Sequence, residues 1–241
     1  MTLLVVLPTY NERPNIERVA EAILRHPWAR LLVVDDNSPD GTGQVADALA
    51  AKFGGRLDVL HRTGPRGLGL SYIDGLRRAL ATDAEAIGQM DADLSHDPAY
   101  LPDLLAALER VDLAIGSRYL HGVSVVNWPL HRIALSAFAN RYIRLVTGLG
   151  PRDCTSGFRL WRREALARIP LDHAEASGYA FLTEMLYEAA RLGSRIGEVP
   201  IVFVERREGY SKVSGHVLFE SLLTPWRLVL RGGRLKRGAG A

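Results

Sequence analysis

Five short apolar runs, each followed by a segment with helical spacing or by a polar loop, constrain this 241-residue chain more than any other feature of its sequence. The runs Leu3–Leu7, Leu31–Val34, Leu57–Leu60, Ala86–Met90 and Leu113–Gly116 are almost continuously apolar, as strands covered on both faces are. Between them, Ile16–Leu24, Val45–Phe53, Leu70–Leu80 and Tyr100–Leu108 place apolar residues three and four apart, which suits one-sided helices. The alternation predicts βαβαβαβαβ, an α/β fold with a mostly parallel central sheet flanked by helices. After Ser117 the rhythm changes. A loop carrying Gly122, Asn127, Trp128 and Pro129 leads to a helix-period stretch near Ile133–Val146, a strand-like Ser156–Trp161, a helix around Phe181–Leu192 and an apolar run Val199–Val204. No linker rich in Ser, Gly or Pro divides the chain, so residues 1–241 read as one domain, with a second half, 118–241, packed on the first, 1–117.

Charge and composition narrow the function. The hydrophobic fraction is 47% and the charged fraction 24%, values of an ordinary globular protein that leave no room for a disordered or fibrous reading. The longest stretch without Asp, Glu, Lys or Arg is the 13 residues Tyr119–His131, short of the roughly 18 that a spanning helix needs. Met1 runs straight into the first apolar segment with no basic flank or cleavage site, which points to a cytoplasmic protein. The lone cysteine, Cys154, permits no internal disulfide and agrees with a reducing compartment. The net charge of +3 conceals five cations and no acid in Pro225–Ala241, leaving the first 224 residues at −2. Charge confined to a tail argues against nucleic acid as a partner. Leu218, Phe219, Leu222, Leu223, Trp226, Val229 and Leu230 form an apolar stripe interrupted by Thr224-Pro225. Two readings stay open for it: a helix lying on a membrane surface, or a helix packed on the core with a solvated tail.

Ligands of open α/β sheets lie beyond the carboxyl ends of the strands. Here those positions are polar: Pro8-Thr9-Tyr10-Asn11-Glu12, Asp35-Asp36-Asn37-Ser38, Asp91-Ala92-Asp93 and Ser117-Arg118. Asp91 and Asp93, one residue apart on an extended chain, can turn to the same side and share a hard cation such as Mg²⁺ or Mn²⁺. Asp35-Asp36-Asn37-Ser38 also suits a turn and helix cap. Gly64–Gly69 lacks the spacing of a phosphate loop and reads as a loop and helix start. In the second half Arg118, Arg132, Arg159, Arg206, Arg207 and Lys212 supply cations suited to phosphate oxygens.

These residues resemble the inverting family 2 glycosyltransferases of the GT-A, Rossmann-like fold and, within them, the dolichol-phosphate and polyprenyl-phosphate mannose synthases. Eight segments in order carry the resemblance: Pro8–Glu12, Val34–Thr42, Met90–His96, Gly116–Tyr119, Asn127–Pro129, Thr155–Arg159, Gly197–Ile201 and Gly209–Lys212. It implies that Pro8, Tyr10, Glu12, Val34 and Asp36 hold the nucleotide, and that Asp91, Ala92 and Asp93 hold diphosphate, sugar and metal. It also implies that Arg118, Arg132, Ser136, Arg206 and Lys212 hold the donor phosphates and the acceptor's phosphate. Asp91, Asp93, Arg118, Arg206 and Lys212 would carry the catalysis. Where the synthases carry Gln two residues after the second aspartate, this chain has Ser95, a shorter and weaker ligand, so a water can stand in for it at the metal.

On this resemblance 1–117 becomes the nucleotide-sugar-binding half and 118–241 the acceptor-binding half. The favoured reaction is mannosyl transfer from GDP-mannose to polyprenyl or dolichyl phosphate, with UDP-glucose or another nucleotide sugar as the alternative donor. A non-catalytic nucleotide-sugar-binding protein is a further alternative, disfavoured by the intact Asp91, Asp93, Arg206 and Lys212. A lipid phosphate is already an oxyanion near neutral pH, so neither Glu184 nor Asp153 is needed as a base; alignment and charge neutralisation remain the enzyme's task. The enzyme would sit peripherally on the cytoplasmic face of the membrane, through Ile133–Val146 and the C-terminal stripe or through a separate membrane-anchoring subunit.

Overall fold

The structure is a computed structural model that describes residues 1–171, 178–205 and 215–235, with the backbone alone at 178–179 and 215–221. The predicted alternation is present: β1 (Leu3–Thr9), α1 (Ile16–Leu24), β2 (Ala29–Asp35), α2 (Thr42–Phe53), β3 (Leu57–His61), α3 (Leu68–Leu80), β4 (Ala86–Gln89), α4 (Leu101–Ala107) and β5 (Leu113–Ser117). Each helix buries its apolar stripe, as α1 does with Ile16, Val19, Ala20, Ile23 and Leu24. β1 is buried along its whole length, so its unbroken apolar run is the signature of a strand with helices on both faces.

The second half contributes β6 (Val125–Val126), α5 (Leu130–Thr147), β7 (Arg159–Arg162), α6 (Arg163–Ala167), α7 (Gly178–Arg191), β8 (Ile196–Pro200), β9 (Phe203–Val204) and α8 (Gly215–Gly232). Seven strands form one sheet in the order β3-β2-β1-β4-β7-β5-β8. β7 is antiparallel to both neighbours, while β5 and β8 pair in parallel. The halves therefore share one sheet, and β7, from the second half, is wedged between two strands of the first. The apolar run Val199–Val204 is not one strand: β8 ends at Pro200, and β9 leaves to pair with β6 in a separate two-stranded ribbon.

Order reverses between β1 and β4, since β2 and β3 build outward on one side and the chain then crosses back. A crevice opens at such a switch point beyond the strand ends. α3 lies close over this region because Gly75 has no side chain. A Cβ there would stand 2.5 Å from Val6 Cγ1 and 2.8 Å from Val34 Cγ2. Val34 is fully buried in that contact, so its side chain shapes the floor of the strand end.

α8 continues through Pro225 without a break, contrary to the interruption expected at Thr224-Pro225. Proline offers no N–H to the preceding turn, and the Leu222 carbonyl in that turn accepts from Tyr142 Oη of α5 at 2.7 Å. Arg231 donates to Glu184 and Glu188 of α7 at 2.8 and 2.9 Å, and Arg234 donates to the Leu145 carbonyl at 3.0 Å. Two of the five C-terminal cations, though exposed, are thus tied to α5 and α7. Lys236 and Arg237 lie outside the described residues.

Candidate active site

The loops after β1, β2, β4 and β6 carry Asn11, Asn37, Leu94 and Asn127, with φ of +60°, +56°, +63° and +66°. Left-handed backbone is costly for residues with a Cβ, least so for Asn. Its occurrence at these four strand ends marks the rim as a place where geometry is held by its surroundings.

On the β1/β2 side every carboxylate near the rim is tied down. Asp35 accepts from the Ser38 hydroxyl at 2.6 Å and from Thr9 Oγ1 at 3.2 Å, and Asp40 accepts from the Thr42 hydroxyl at 2.6 Å. Those bonds, with the Thr42 and Arg13 N–H groups, hold the Asp40 carboxyl below its usual range against the opposing effect of burial. The Asx-rich segment after β2 is therefore a turn and cap as well as a candidate ligand loop. Asp36 pairs with Arg62 and accepts the Gly67 N–H at 2.8 Å. Arg66 lies over the Tyr10 ring at 4.8 Å and donates to Tyr10 Oη at 2.8 Å and to the Asn37 carbonyl at 3.3 Å. Glu12 accepts from Asn15 Nδ2 at 2.9 Å. Pro8, in β1, is buried beside Val34 in the register of the pair. The Gly64–Gly69 segment is a loop and helix start, as read from sequence, but it reaches back to close this side. Arg62 and Arg66 were missed; Arg62 directly follows β3, so the strand-end rule applied to the other loops would have flagged it.

Asp91 lies at the centre of the rim. Its carboxylate accepts from Tyr72 Oη of α3 at 3.2 Å, and its N–H donates to Nδ1 of buried His96 at 3.2 Å. Desolvation pushes the Asp91 carboxyl above its ordinary value, His96 opposes the rise and Asp93 adds to it. Burial and the Asp91 charge raise Tyr72 well above its usual range, so the phenol stays a donor. A Cβ at Gly157 would stand 3.3 Å from Asp91 Oδ1 and 3.4 Å from Oδ2; the glycine keeps open the space that this carboxylate faces. Ser95 donates its hydroxyl to Asp93 and its N–H to Asp93 Oδ1, so it holds the second aspartate. Ala92 is buried between them. Among the described residues no group of three His, Cys, Asp or Glu is placed to hold a metal. Two carboxylates beside a cleared space nevertheless fit a hard cation that takes its other ligands from water and phosphate.

On the far side of Asp91 and Asp93 a cavity of about 430 Å³ runs outward between α5 and α8. Arg118 lies at its inner end, buried and paired with Asp153 through Nε–Oδ2 and Nη2–Oδ1 contacts of 2.7 Å. Burial alone would raise the Asp153 carboxyl, but the Arg118 charge and its hydrogen bonds outweigh burial and hold it low. Asp153 thus orients an arginine, and Glu184 binds Arg231. Arg132 pairs with Glu205 and lies 4.3 Å from the centre of the Trp128 ring. Ser136 accepts from Tyr119 Oη at 2.7 Å. Leu135, Phe138, Tyr142 and Leu222 carry the lining to the surface, where Phe138 is 60% and Leu222 48% exposed.

Not every cation of the second half joins the site. Arg159 is fully buried, donates to the carbonyls of Ser156, Leu182 and Cys154 and is pulled down to about 10 by burial. It braces the turn before β7 and does not reach a phosphate site. Arg206, Arg207 and Lys212 lie outside the described residues.

The family model for glycosyl transferase family 2 matches residues 4–169. Polyprenol monophosphomannose synthase of Mycolicibacterium smegmatis is 43% identical over 98% of this chain and 90% of its own. Undecaprenyl-phosphate mannosyltransferase of Micrococcus luteus is 44% identical over the full length of both. Dolichol-phosphate mannosyltransferase of Pyrococcus furiosus is 35% identical over 98% of this chain and 66% of its own. Among solved structures, glucosyl-3-phosphoglycerate synthase of Mycobacterium tuberculosis in complex with Mn²⁺, UDP and phosphoglyceric acid superposes with a TM-score of 0.68, at 23% identity over 98% of this chain and 80% of its own. That likeness concerns the fold.

Proposed function

The chain belongs to glycosyl transferase family 2 and is a glycosyltransferase, and we propose that it transfers mannose from GDP-mannose to a polyprenyl phosphate with inversion at the anomeric carbon. The observation that carries the proposal is the cavity that joins the Asp91/Asp93 rim to an apolar trench between α5 and α8. A phosphate carried on a long hydrocarbon needs both ends of such a cavity: cations and carboxylates inside, aliphatic and aromatic walls outside.

Pro8, Tyr10, Glu12, Val34 and Asp36 would form the nucleotide side, with Arg62 and Gly67 holding Asp36 in place. A divalent cation, Mg²⁺ or Mn²⁺, held by Asp91 and Asp93 would neutralise the leaving diphosphate. Tyr72 and His96 fix Asp91 from two sides, and Ser95 fixes Asp93. Arg118, oriented by Asp153, and Arg132, with Ser136 beside it, would receive phosphate oxygens, joined by Arg206 and Lys212 from the segment that follows β9. An acceptor phosphate oxygen bonds to the anomeric carbon as the bond from that carbon to the diphosphate breaks, and GDP departs. The acceptor oxygen is ionised beforehand, so no proton is abstracted. The protein's part is alignment of two anions and neutralisation of their charge.

The halves 1–117 and 118–241 would work as one unit, the first binding donor and the second acceptor. No helix among the described residues is long and apolar enough to cross a membrane, so the exposed faces of α5 and α8, or a membrane-anchoring subunit, would bring the enzyme to the cytoplasmic leaflet. The test is transfer of radiolabelled mannose from GDP-mannose to a short polyprenyl phosphate in detergent, with and without Mg²⁺ or Mn²⁺. A metal-dependent, acid-labile lipid product is expected. Turnover with UDP-glucose alone would replace the donor, and silence with every donor and acceptor would overturn the reading.

A further inference from the structure

Among the described residues, one buried polar atom of the cavity wall has nothing to bond. Trp128 Nε1 is buried and has no hydrogen-bond partner among the described residues. A buried donor left unpaired is costly and is rare enough in folded proteins to need a reason. The fully buried Trp161 shows the ordinary solution: its Nε1 donates to Gln89 Oε1 at 2.7 Å.

The surroundings of Trp128 supply the reason. Its ring is flanked by two guanidinium groups, Arg132 at 4.3 Å and Arg118 at 5.6 Å from the ring centre. Phe203 packs edge-on at 5.4 Å, so the indole is braced by β9 as well. All four residues line the cavity that opens from Asp91 and Asp93. A phosphate held by these guanidinium groups would be a neighbour of the indole, whose neutral N–H could add a directional donor to two charges. The charge around it also favours an acceptor: both neighbours are cations, and the carboxylates that balance them, Asp153 and Glu205, are bound to the arginines.

We propose that the Trp128 indole N–H is a phosphate donor of this site, without a partner among the described residues and satisfied by an oxygen of a bound substrate phosphate. This rests on the transferase reading for the identity of the substrate, and it adds a binding residue beyond the arginines and carboxylates of the rim. Two phosphates could be the ligand, the acceptor monophosphate or the donor diphosphate, and the experiment separates them.

The experiment follows the indole ¹H–¹⁵N signals of the full chain, which holds four tryptophans, during titration with farnesyl phosphate and, separately, with GDP plus Mg²⁺. W28F and W226F assign two of the signals, and W128F assigns the third. A downfield shift of the Trp128 signal with farnesyl phosphate is expected; the same shift with GDP alone would assign the donor phosphate instead. W128F keeps an aromatic ring but removes the N–H together with the indole's five-membered ring, so KM for the phosphate that moves the signal should rise at least about tenfold, the loss of one charge-assisted hydrogen bond. KM for the other substrate should stay within about twofold on the same ground. A Trp128 signal that moves with neither ligand overturns the proposal. If calorimetry on the same samples shows both ligands bound while that signal stays still, the transferase reading stands and only the role of Trp128 falls. A W128F enzyme with wild-type KM for both substrates overturns it equally.

Discussion

The two sides of the rim are made of different materials. On the β1/β2 side, Asp35, Asp36 and Asp40 are each satisfied by neighbours, through Ser38, Arg62, Gly67 and Thr42. On the α5/α8 side, cations lie over rings: Arg118 within 5.6 Å of the centres of Tyr119, Trp128 and Phe203, and Arg132 over Trp128. The first side is rigid because its hydrogen bonds are internal and mutually supporting. The second is shaped by packing and ends in exposed apolar residues. A small polar ligand suits the first and an amphipathic one the second, with Asp91 and Asp93 on the boundary between them.

Removing the boundary should have the largest effect. Asp91→Ala takes away the carboxylate that Gly157 leaves uncovered and that Tyr72 and His96 hold. Mannosyl transfer should fall on the order of 10³-fold or more, with far-ultraviolet circular dichroism unchanged. Transfer at the wild-type rate would show that the two sides meet elsewhere.

The next effect falls on stability. Asp153 is fully buried and bidentate to Arg118, and Asp153→Ala strands a buried guanidinium, at about 3–5 kcal/mol. Because the folded carboxyl titrates below its unfolded value, its contribution is present at neutral pH. That contribution is lost as pH falls from about 4, the unfolded value, through the lower folded one. Urea midpoints measured between pH 3 and 7 should therefore drop below about pH 4 in the wild type, and the drop should be shallower in Asp153→Ala. Equal slopes would mean that the pair does not anchor the acceptor side.

The difference between the sides also explains what the sequence disclosed. Strand ends, the paired aspartates and the helix stripes follow from local periodicity and position, so the sheet's first five strands and the rim loops were legible. Place in the sheet is not local: nothing within Arg159–Arg162 says that it runs antiparallel between β4 and β5. Arg159 reads like Arg118 in sequence, yet one braces carbonyls in the core and the other faces the cavity. Tyr72 looks like any core aromatic of α3, and only the sheet brings its hydroxyl to Asp91. On the β1/β2 side Arg62 was within reach of the strand-end rule; Arg66, five residues past β3, was not.

A milder test separates the apolar wall from its core function. Trp226 and Leu230 of α8 are 53% and 85% exposed and stand outside the cavity lining, so replacing both with Ser removes outward apolar surface at little expense to packing. If this face meets the bilayer, partitioning onto anionic vesicles should weaken roughly tenfold, about what losing one to two buried leucine side chains gives. Transfer to a short, detergent-dispersed acceptor should hardly change. Undiminished vesicle binding would move the docking role to α5 or to a separate subunit.

The smallest effect is expected where the polar side is most exposed. Arg66 is solvent-accessible, and its contact with the Tyr10 ring is of the kind that contributes about 0.5–1 kcal/mol. Arg66→Ala should therefore raise KM for the nucleotide sugar about two- to fivefold, leave KM for the acceptor unchanged and barely alter the unfolding midpoint. Asp36→Asn should act on the same parameter through Arg62 and Gly67, which hold the other end of the loop that carries Arg66. Because the two changes act through one loop, their double variant should fall short of the sum of the single effects. Strict additivity would mean that Tyr10 and Asp36 are held independently, and the nucleotide side would then be two separate contacts where its hydrogen bonds describe one rigid unit.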